Sequence, residues 1–539
     1  MVLGKKTEDG LVHKAGEELI FSAPKSVSIM ALVAKDERLI RAHEKAVQET
    51  IKYLEKTVIQ TRIQEDGKKR IENTGNSLIA KFTHSAARPS HDKETKEYRI
   101  PDPQLHTHCL IANATLCKDN KWRSIEFEKL YKDKMLLGEL YRMELGREVE
   151  KLGYTIEKCT TDDVSKRQSF HIKGVPDDVM LDFSKRRQDI LKEARGMDRF
   201  DAKALDFIAR VTRGEKMDMD LSELDSFWQK STRMDELKQT KDKAYAMGHK
   251  DHESRNFTKD LKSALSHLTE RDTVFKEKAL MHAILDANKG MMTIKELEKT
   301  RDDALKEGKL RMTKDKESYT TPWAIRLEKE LLALLKESHN KVYPIETYNV
   351  IREKLFNTTL TKGQKEAISL VLATKDRVVG IQGAAGTGKT TALKELKTLL
   401  GDKGMHLIGV APSKEASRVL KDEAGIHAET LQALLLRYDG FIKGRGTEKG
   451  LSQMKEAYKN TVLVCDESSL SGNRQLAKLL KLSQAFDLRL VLLGDKKQLS
   501  GVEAGKPFHL MQNNGLKTAT MTDILRQKNT ELKKSCYCI

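Results

Sequence analysis

Four short stretches late in the chain, Val378–Ile381, Leu407–Val410, Val462–Cys465 and Leu490–Leu493, consist of apolar residues and glycine alone. Helical stretches separate them. Strands that alternate with helices and lack a polar face read as a parallel sheet covered on both sides. The first part of the chain has another rhythm. Glu18–Ser22 reads as a strand, Pro24–Val33 as a helix with proline near its first turn, and residues 37–58 as an amphipathic helix. Ser77–His84 and Gln104–Ala112 look like two further strands, residues 85–103 a connecting loop, and about 126–152 a long helix ending near Gly153.

Residues 160–258 are rich in Lys, Asp, Glu and Arg, with moderate apolar periodicity, and read as helices and linkers without a chemical signature. Beyond them the spacing predicts three short helices near 260–270, 275–287 and 293–307. After Gly308, Leu310–Thr313 and Ser318–Thr321 are suited to pair as a small β-wing. A winged-helix unit fits that order, and so does a plain helical connector. No internal repeat is visible. The expected divisions fall at 1–160, 161–258, 259–345 and 346–539.

Composition narrows the class. A chain of 539 residues is too long for one core. A formal charge of +18 favours a polyanionic partner, although a merely lysine-rich soluble protein would show the same excess. The six cysteines, at 109, 117, 159, 465, 536 and 538, lack paired metal spacing, which suits reduced thiols. No apolar run approaches membrane-spanning length and the first residues carry no signal-peptide core, so a cytoplasmic protein without membrane insertion is expected.

Two groups of residues carry chemistry. Gly383-Ala384-Ala385-Gly386-Thr387-Gly388-Lys389-Thr390 follows an apolar strand and opens a helix, the context of a P-loop. Its glycines let backbone N–H groups curl around a phosphate, and the helix N-terminus adds a favourable dipole. Lys389 is placed to reach the β- and γ-phosphates of ATP and Thr390 to ligate Mg²⁺. Asp466 ends a strand where it can hold the Mg²⁺ shell, Glu467 can polarise the attacking water, and Gln498, past the fourth strand, can sense the γ-phosphate. The second group is His106-Thr107-His108. On a strand, residues i and i+2 face the same way, so both imidazoles are presented together, and His84 on a neighbouring strand can supply a third nitrogen. Three neutral imidazoles leave positions open on a divalent ion that would polarise a scissile phosphate. Taken alone, His-x-His is more often an ordinary strand pair.

The surrounding residues tip that balance. Leu19–Ser28 (Leu-Ile-Phe-Ser-Ala-Pro-Lys-Ser-Val-Ser) and Pro103–Asn113 closely resemble the MobF-type conjugative relaxases, the TraI/TrwC/TraA kind, and Asp119-Asn120, Lys121-Trp122 and Leu137–Tyr141 fit the same pattern. These are histidine–hydrophobe–histidine (HUH) nucleases fused to superfamily 1 helicases. The resemblance covers roughly 10–160 and 260–530, in that order. It implies a multidomain α/β chain with an N-terminal α+β HUH relaxase-like antiparallel sheet, a helical or winged-helix connector and a C-terminal RecA-like P-loop parallel sheet. It makes His84, His106 and His108 the metal triad, with Mg²⁺ or Mn²⁺, and His91 a competitor for the third place. Glu18 matches a family aspartate beside the nucleophile and first metal histidine. Gln364 would read adenine, Ala411-Pro412-Ser413 would contact DNA, and Arg526 would meet the γ-phosphate.

The family reaction is strand-specific DNA nicking by a tyrosine, coupled to ATP-dependent 5′–3′ unwinding. Partners would be single-stranded DNA at a transfer origin, relaxosome accessory proteins and a type IV secretion coupling protein. The first tyrosine here is Tyr53, on a predicted helix among apolar residues, and a packing role suits it. The chain therefore reads as truncated at both ends, lacking the nucleophile in front and the second motor lobe behind. A non-catalytic remnant that binds single-stranded DNA, metal and ATP is the alternative. A P-loop kinase is disfavoured, since it needs neither Gly494-Asp495-x-x-Gln498-Leu499 nor a neighbouring nickase signature.

Overall fold

The computed structural model describes residues 14–65, 67–89, 99–158, 170–197, 200–211, 220–230, 233–248, 257–288, 292–314, 318–384, 386–495 and 505–523, with the short strands Lys5–Thr7 and Gly10–Val12. The chain forms two compact units, Met1–Ala264 with Lys278–Asp303, and Leu265–Glu277 with Ala304–Ile539.

The first unit runs through β1 (Gly16–Ser22), α1 (Lys25–Leu32), α2 (Glu37–Thr57), a hairpin of β2 (Gln60–Glu65) and β3 (Lys68–Asn73), then β4 (Ile79–Ala86), β5 (Pro103–Ala112) and α3 (Glu128–Lys151). Strands β1, β5 and β4 make an antiparallel sheet in that order. Strand β5 is central and alternates: Leu105, Thr107, Cys109 and Ile111 are buried, whereas His106, His108 and Leu110 point to the other face. The buried stripe of α2 (Leu39, Ala42, His43, Ala46, Val47, Thr50, Ile51, Leu54) keeps the three- and four-residue spacing of an amphipathic helix. Buried Asp36 caps that helix, accepting from Arg38 N at 3.1 Å and from Tyr154 Oη at 2.7 Å.

Residues 23–28 wire α1 to its neighbours. Lys25 Nζ donates to Pro103 O at 3.0 Å, Ser28 Oγ accepts from Leu105 N at 3.1 Å, and Ser26 Oγ accepts from Ile172 N at 2.9 Å. The unit runs on past residue 160. A short antiparallel pair (Ile156–Lys158 with Phe170–Ile172) leads into helices Asp177–Asp182, Lys185–Gly196, Ala202–Val211, Leu221–Lys230 and Met234–Met247. Fully buried Trp228 donates from Nε1 to Pro101 O at 2.9 Å, and Asp102 Oδ2 accepts from Lys185 N at 2.9 Å. A few large anchors in a charged text do this, which is why periodicity alone gave no hint of it.

Between 258 and 320 come helices Thr258–Arg271, Glu277–Asn288 and Ile294–Lys306 and three short strands. Ser318–Thr320 is the central strand, between Phe275–Lys276 and Arg311–Met312. Along the chain the order is helix, strand, helix, helix, strand, strand. Phe275–Lys276, expected to open the second helix, instead adds the third strand.

The second unit centres on a six-stranded parallel sheet. Its elements are α4 (Lys362–Ala373), β6 (Val378–Gly383), α5 (Lys389–Gly401), β7 (His406–Ala411), β8 (His427–Thr430), β9 (Thr461–Cys465), β10 (Arg489–Gly494) and β11 (Thr518–Met521), and the strand order is β8–β7–β9–β10–β6–β11. The four apolar runs of the sequence are the inner strands, with β6 and β9 buried at every position. The edges β8 and β11 are partly exposed and more polar, so they lack that signature.

Trp228→Ala should destabilise the first unit by about 3–5 kcal/mol, the usual cost of emptying a large aromatic site. Urea unfolding followed on that unit would show it, and an unmoved midpoint would exclude helix Leu221–Lys230 from the core.

Candidate metal and nucleotide sites

In the first unit, strand pairing brings three histidines together. His84 lies directly opposite His106, and Phe82 opposite His108. On the other side of β5, Ser22 pairs with His106 and Ile20 with His108. The ring centres are 5.4 Å apart for His84 and His106, and 5.1 Å for each of the other two pairs. With metal–nitrogen bonds of about 2.1 Å, ring centres sit about 3.2 Å from the ion, and a tetrahedral angle separates them by about 5 Å. The spacing therefore fits a three-imidazole site. Among the described residues no group of three or more His, Cys, Asp or Glu is placed so that it could hold a metal ion as it stands, this triad included. The rings adjoin without converging, and rotation about their side-chain bonds is what an ion would require.

Hydrogen bonds at Nδ1 orient two of the rings. His108 Nδ1 lies 2.7 Å from Glu18 Oε1, and His106 Nδ1 lies 2.9 Å from Gln104 O. An Nδ1–H donating to each acceptor leaves the lone pair on Nε2, the usual outer support of a metal-bound histidine. Glu18 thus contacts a histidine at its outer nitrogen, and its longer side chain spans the gap. Burial holds the His106 imidazole below the ordinary histidine range, and the neighbouring His108 and His84 act in the same direction. Neutral imidazole is the form that binds metal.

The histidine face is open, with Ile20, Phe82 and Leu110 large, apolar and exposed around the rings. Tyr53 is buried in α2. Strands β1, β4 and β5 contain no tyrosine. His91 lies outside the described residues.

In the second unit, the segments that follow β6, β7 and β9, and Asp495 after β10, lie at the carboxyl ends of the parallel strands, where open α/β sheets bind ligands. Gly386 and Gly388 adopt φ of 81° and 74°, the left-handed region that glycine enters without strain. A side chain at Gly383 would put its Cβ 2.9 Å from Thr387 Oγ1. Lys389 Nζ donates to Gly383 O at 3.1 Å, and Thr387 Oγ1 to Ala384 O at 2.9 Å. Thr390 follows Lys389 in the first turn of α5. Ala385 lies outside the described residues.

Asp466 is held above the usual carboxylate range by burial, with the Lys389 charge opposing. Glu467 is raised by burial and then by the Asp466 charge. Its φ of 48° is a left-handed, strained conformation for a residue with a side chain. Gln364 is buried and fully engaged: Oε1 accepts from Thr361 N at 2.9 Å, and Nε2 donates to Gly388 O at 3.1 Å and Thr387 O at 3.3 Å. As placed, its amide braces the P-loop from beneath. Ser413 caps the following helix through Ala416 N. Asp495 accepts from Gln382 Nε2 at 2.9 Å. Gln498 and Arg526 lie outside the described residues.

The TrwC relaxase family model matches residues 2–234, and the model of an AAA domain matches residues 359–537. A relaxase match followed by an AAA-domain match is the order that the resemblance to MobF relaxase–helicases implies. It is 26% identical over 487 residues to the multifunctional conjugation protein TraI of Escherichia coli, a match covering 84% of this chain and 26% of that protein. It is 36% identical over 217 residues to the protein of the same name from Escherichia coli strain K12, covering 39% of this chain and 11% of that protein. The match thus spans about a quarter or less of these relatives' length. A solved conjugative relaxase TrwC in complex with OriT DNA is 34% identical, covering 40% of this chain and 72% of that chain, with a TM-score of 0.36.

Several residues of this chain escaped the sequence reading. The relaxase match extends to residue 234, in keeping with the anchors Trp228 and Asp102. Lys25 is half-buried near His106, and desolvation pushes its ammonium down to about 8. The hairpin β2–β3 exposes Arg62, Lys68, Lys69 and Arg70, and the turn at 118–121 leads to exposed Trp122. Lys118 N donates to Glu72 Oε1 at 3.3 Å, so the two hairpins adjoin. The cluster Lys68-Lys69-Arg70 is the signal of this hairpin in the sequence.

Lys389→Ala should weaken binding of a fluorescent ATP analogue with Mg²⁺ at least tenfold, because Lys389 is the one P-loop side chain that carries a full positive charge. An unchanged titration would remove Lys389 from the site.

Proposed function

We propose that this chain processes DNA in conjugative transfer. One site carries out phosphodiester chemistry at a divalent ion held by His84, His106 and His108. The other turns over ATP to do work on the strand. The observation that carries this reading is the set of three imidazoles from paired strands, 5.1–5.4 Å apart, two of them oriented through Nδ1. When bound, a Mg²⁺ or Mn²⁺ ion supplies Lewis acidity toward a phosphate oxygen. Glu18 keeps the His108 ring turned with Nε2 outward, and Ile20, Phe82 and Leu110 offer apolar surface to unstacked bases. The basic β2–β3 hairpin and the net charge of +18 suit contact with phosphates.

In the second unit, Lys389 reaches the ATP phosphates, Thr390 and Asp466 hold Mg²⁺, and Glu467 positions water. Gln498 and Arg526 sense the γ-phosphate by family resemblance. The family reaction is strand-specific nicking by a tyrosine with 5′–3′ unwinding. Single-stranded DNA at a transfer origin is the substrate, and relaxosome proteins and a type IV secretion coupling protein are the partners. Such work is cytoplasmic, and among the described residues no helix is long and apolar enough to cross a membrane. A second reading is binding of DNA, metal and ATP without cleavage, since Tyr53, the first tyrosine of the sequence, is buried in α2.

Incubation with an origin-derived single-stranded oligonucleotide and Mn²⁺ separates the two. A denaturation-resistant protein–DNA adduct supports nicking, and metal-dependent binding without one supports the second reading. His106→Ala with His108→Ala should abolish stoichiometric Mn²⁺ binding under either, and retained binding sinks both. Oligonucleotide affinity should fall steeply between about 50 and 200 mM salt as counterions cease to be released. A flat dependence would exclude a phosphate-tracking groove.

A further inference from the structure

Behind the histidine face runs a hydrogen-bonded chain with no part in ligating an ion. Tyr141 Oη on α3 lies 2.6 Å from His43 Nδ1 on α2, and His43 Nε2 lies 2.7 Å from Thr107 Oγ1 on β5. Thr107 Oγ1 lies in turn 3.0 Å from Thr83 Oγ1 on β4. His43, Tyr141 and Thr107 are buried, and the His43 and Tyr141 rings meet edge-on with centres 5.5 Å apart. Thr107 sits between His106 and His108, and Thr83 adjoins His84. Thr83 and Thr107 are direct partners across the strands.

This location matters for register. Strand β4 is exposed over most of its length and, among the described residues, pairs with β5 alone. Its pairing shifts between His84 and Ala86, immediately beyond Thr83. Side chains alternate along a strand, so a slip of one residue would turn His84 to the opposite face. Such a slip would part Thr83 from Thr107. A rotation of Thr107 would leave His43 Nε2 buried without its partner, which a buried polar atom resists. The β-branched Thr107 is stiff about its first side-chain bond, so fixing its hydroxyl also fixes the backbone between the two histidines.

We propose that His43 is a positioning residue for the metal triad: bonding Thr107 from behind, it fixes the register at which His84 faces His106. This rests on the metal reading above. The test uses the full chain and Mn²⁺ alone, read by calorimetry and by the Mn²⁺ electron paramagnetic resonance spectrum. His43→Phe keeps a ring without nitrogen, and His43→Gln restores a donor at the Nε2 position. Thr107→Val removes the hydroxyl at nearly constant shape, and Thr107→Ser restores it. His43→Phe and Thr107→Val should weaken Mn²⁺ binding by about 10–100-fold, as loss of outer support does elsewhere, with the Gln and Ser variants returning to within about threefold of the parent. The Mn²⁺ spectrum should broaden in the first pair and recover in the second.

Equal weakening by Phe and Gln, or by Val and Ser, would overturn the proposal, because packing alone would then explain the loss. Parent-like binding by His43→Phe, with His106→Ala binding none, would also overturn it while leaving the metal site intact. Failure of the parent protein to bind Mn²⁺ would instead remove the reading on which the proposal rests. Should His43→Phe fail to fold, the Thr107 pair decides.

Discussion

The pairing of β4 with β5 is the constraint on which the histidine triad rests. Because Thr83 faces Thr107, His84 stands across from His106, and the period of two along β5 then puts His108 on the same face. No loop has to be ordered to bring the rings together. What a strand cannot set by itself is the turn of each ring, and here Glu18 and the Gln104 carbonyl hold Nδ1. The sheet supplies position and its neighbours supply orientation.

That division of labour explains the asymmetry of the sheet. One face is sealed by α1 and α2 around Leu105, Thr107, Cys109 and Ile111, with His43 a neutral imidazole that burial pushes down to about 4. The other face keeps Ile20, Phe82 and Leu110 exposed beside the histidines. A polar network behind an open reactive face is costly unless every member is satisfied. Tyr141, His43 and Thr107 satisfy one another in sequence.

The nucleotide site follows a different plan. Its groups come from successive loops at one edge of a parallel sheet, and burial does the electrostatic work. Asp466 and Glu467 are both raised by desolvation, and Lys389 is the nearby cation that opposes it. The strained backbone at Glu467 and the left-handed glycines of the P-loop belong to the same economy, with local conformational cost concentrated where phosphate would bind. Gln364 ties two of these parts together, with Nε2 donating to a P-loop carbonyl and Oε1 accepting in its own helix cap.

The sequence by itself determined the local order: the apolar inner strands of the parallel sheet, the P-loop between strand and helix, the two histidines on one face of β5, and the helices near 37–58 and 126–152. Each is written in residues adjacent in the chain or one period apart, so short-range geometry is enough to read it. The tertiary structure alone decided that Trp228 closes the first unit against Pro101, that Glu18 reaches His108, that Gln364 lies beneath the P-loop, and that His43 and Tyr141 meet Thr107. It also added the edge strands β8 and β11 and the basic β2–β3 hairpin, whose exposed residues carry little apolar pattern. Contacts between residues 64 to 127 positions apart leave no periodic trace, because their energy depends on which surfaces the folded chain has already brought together.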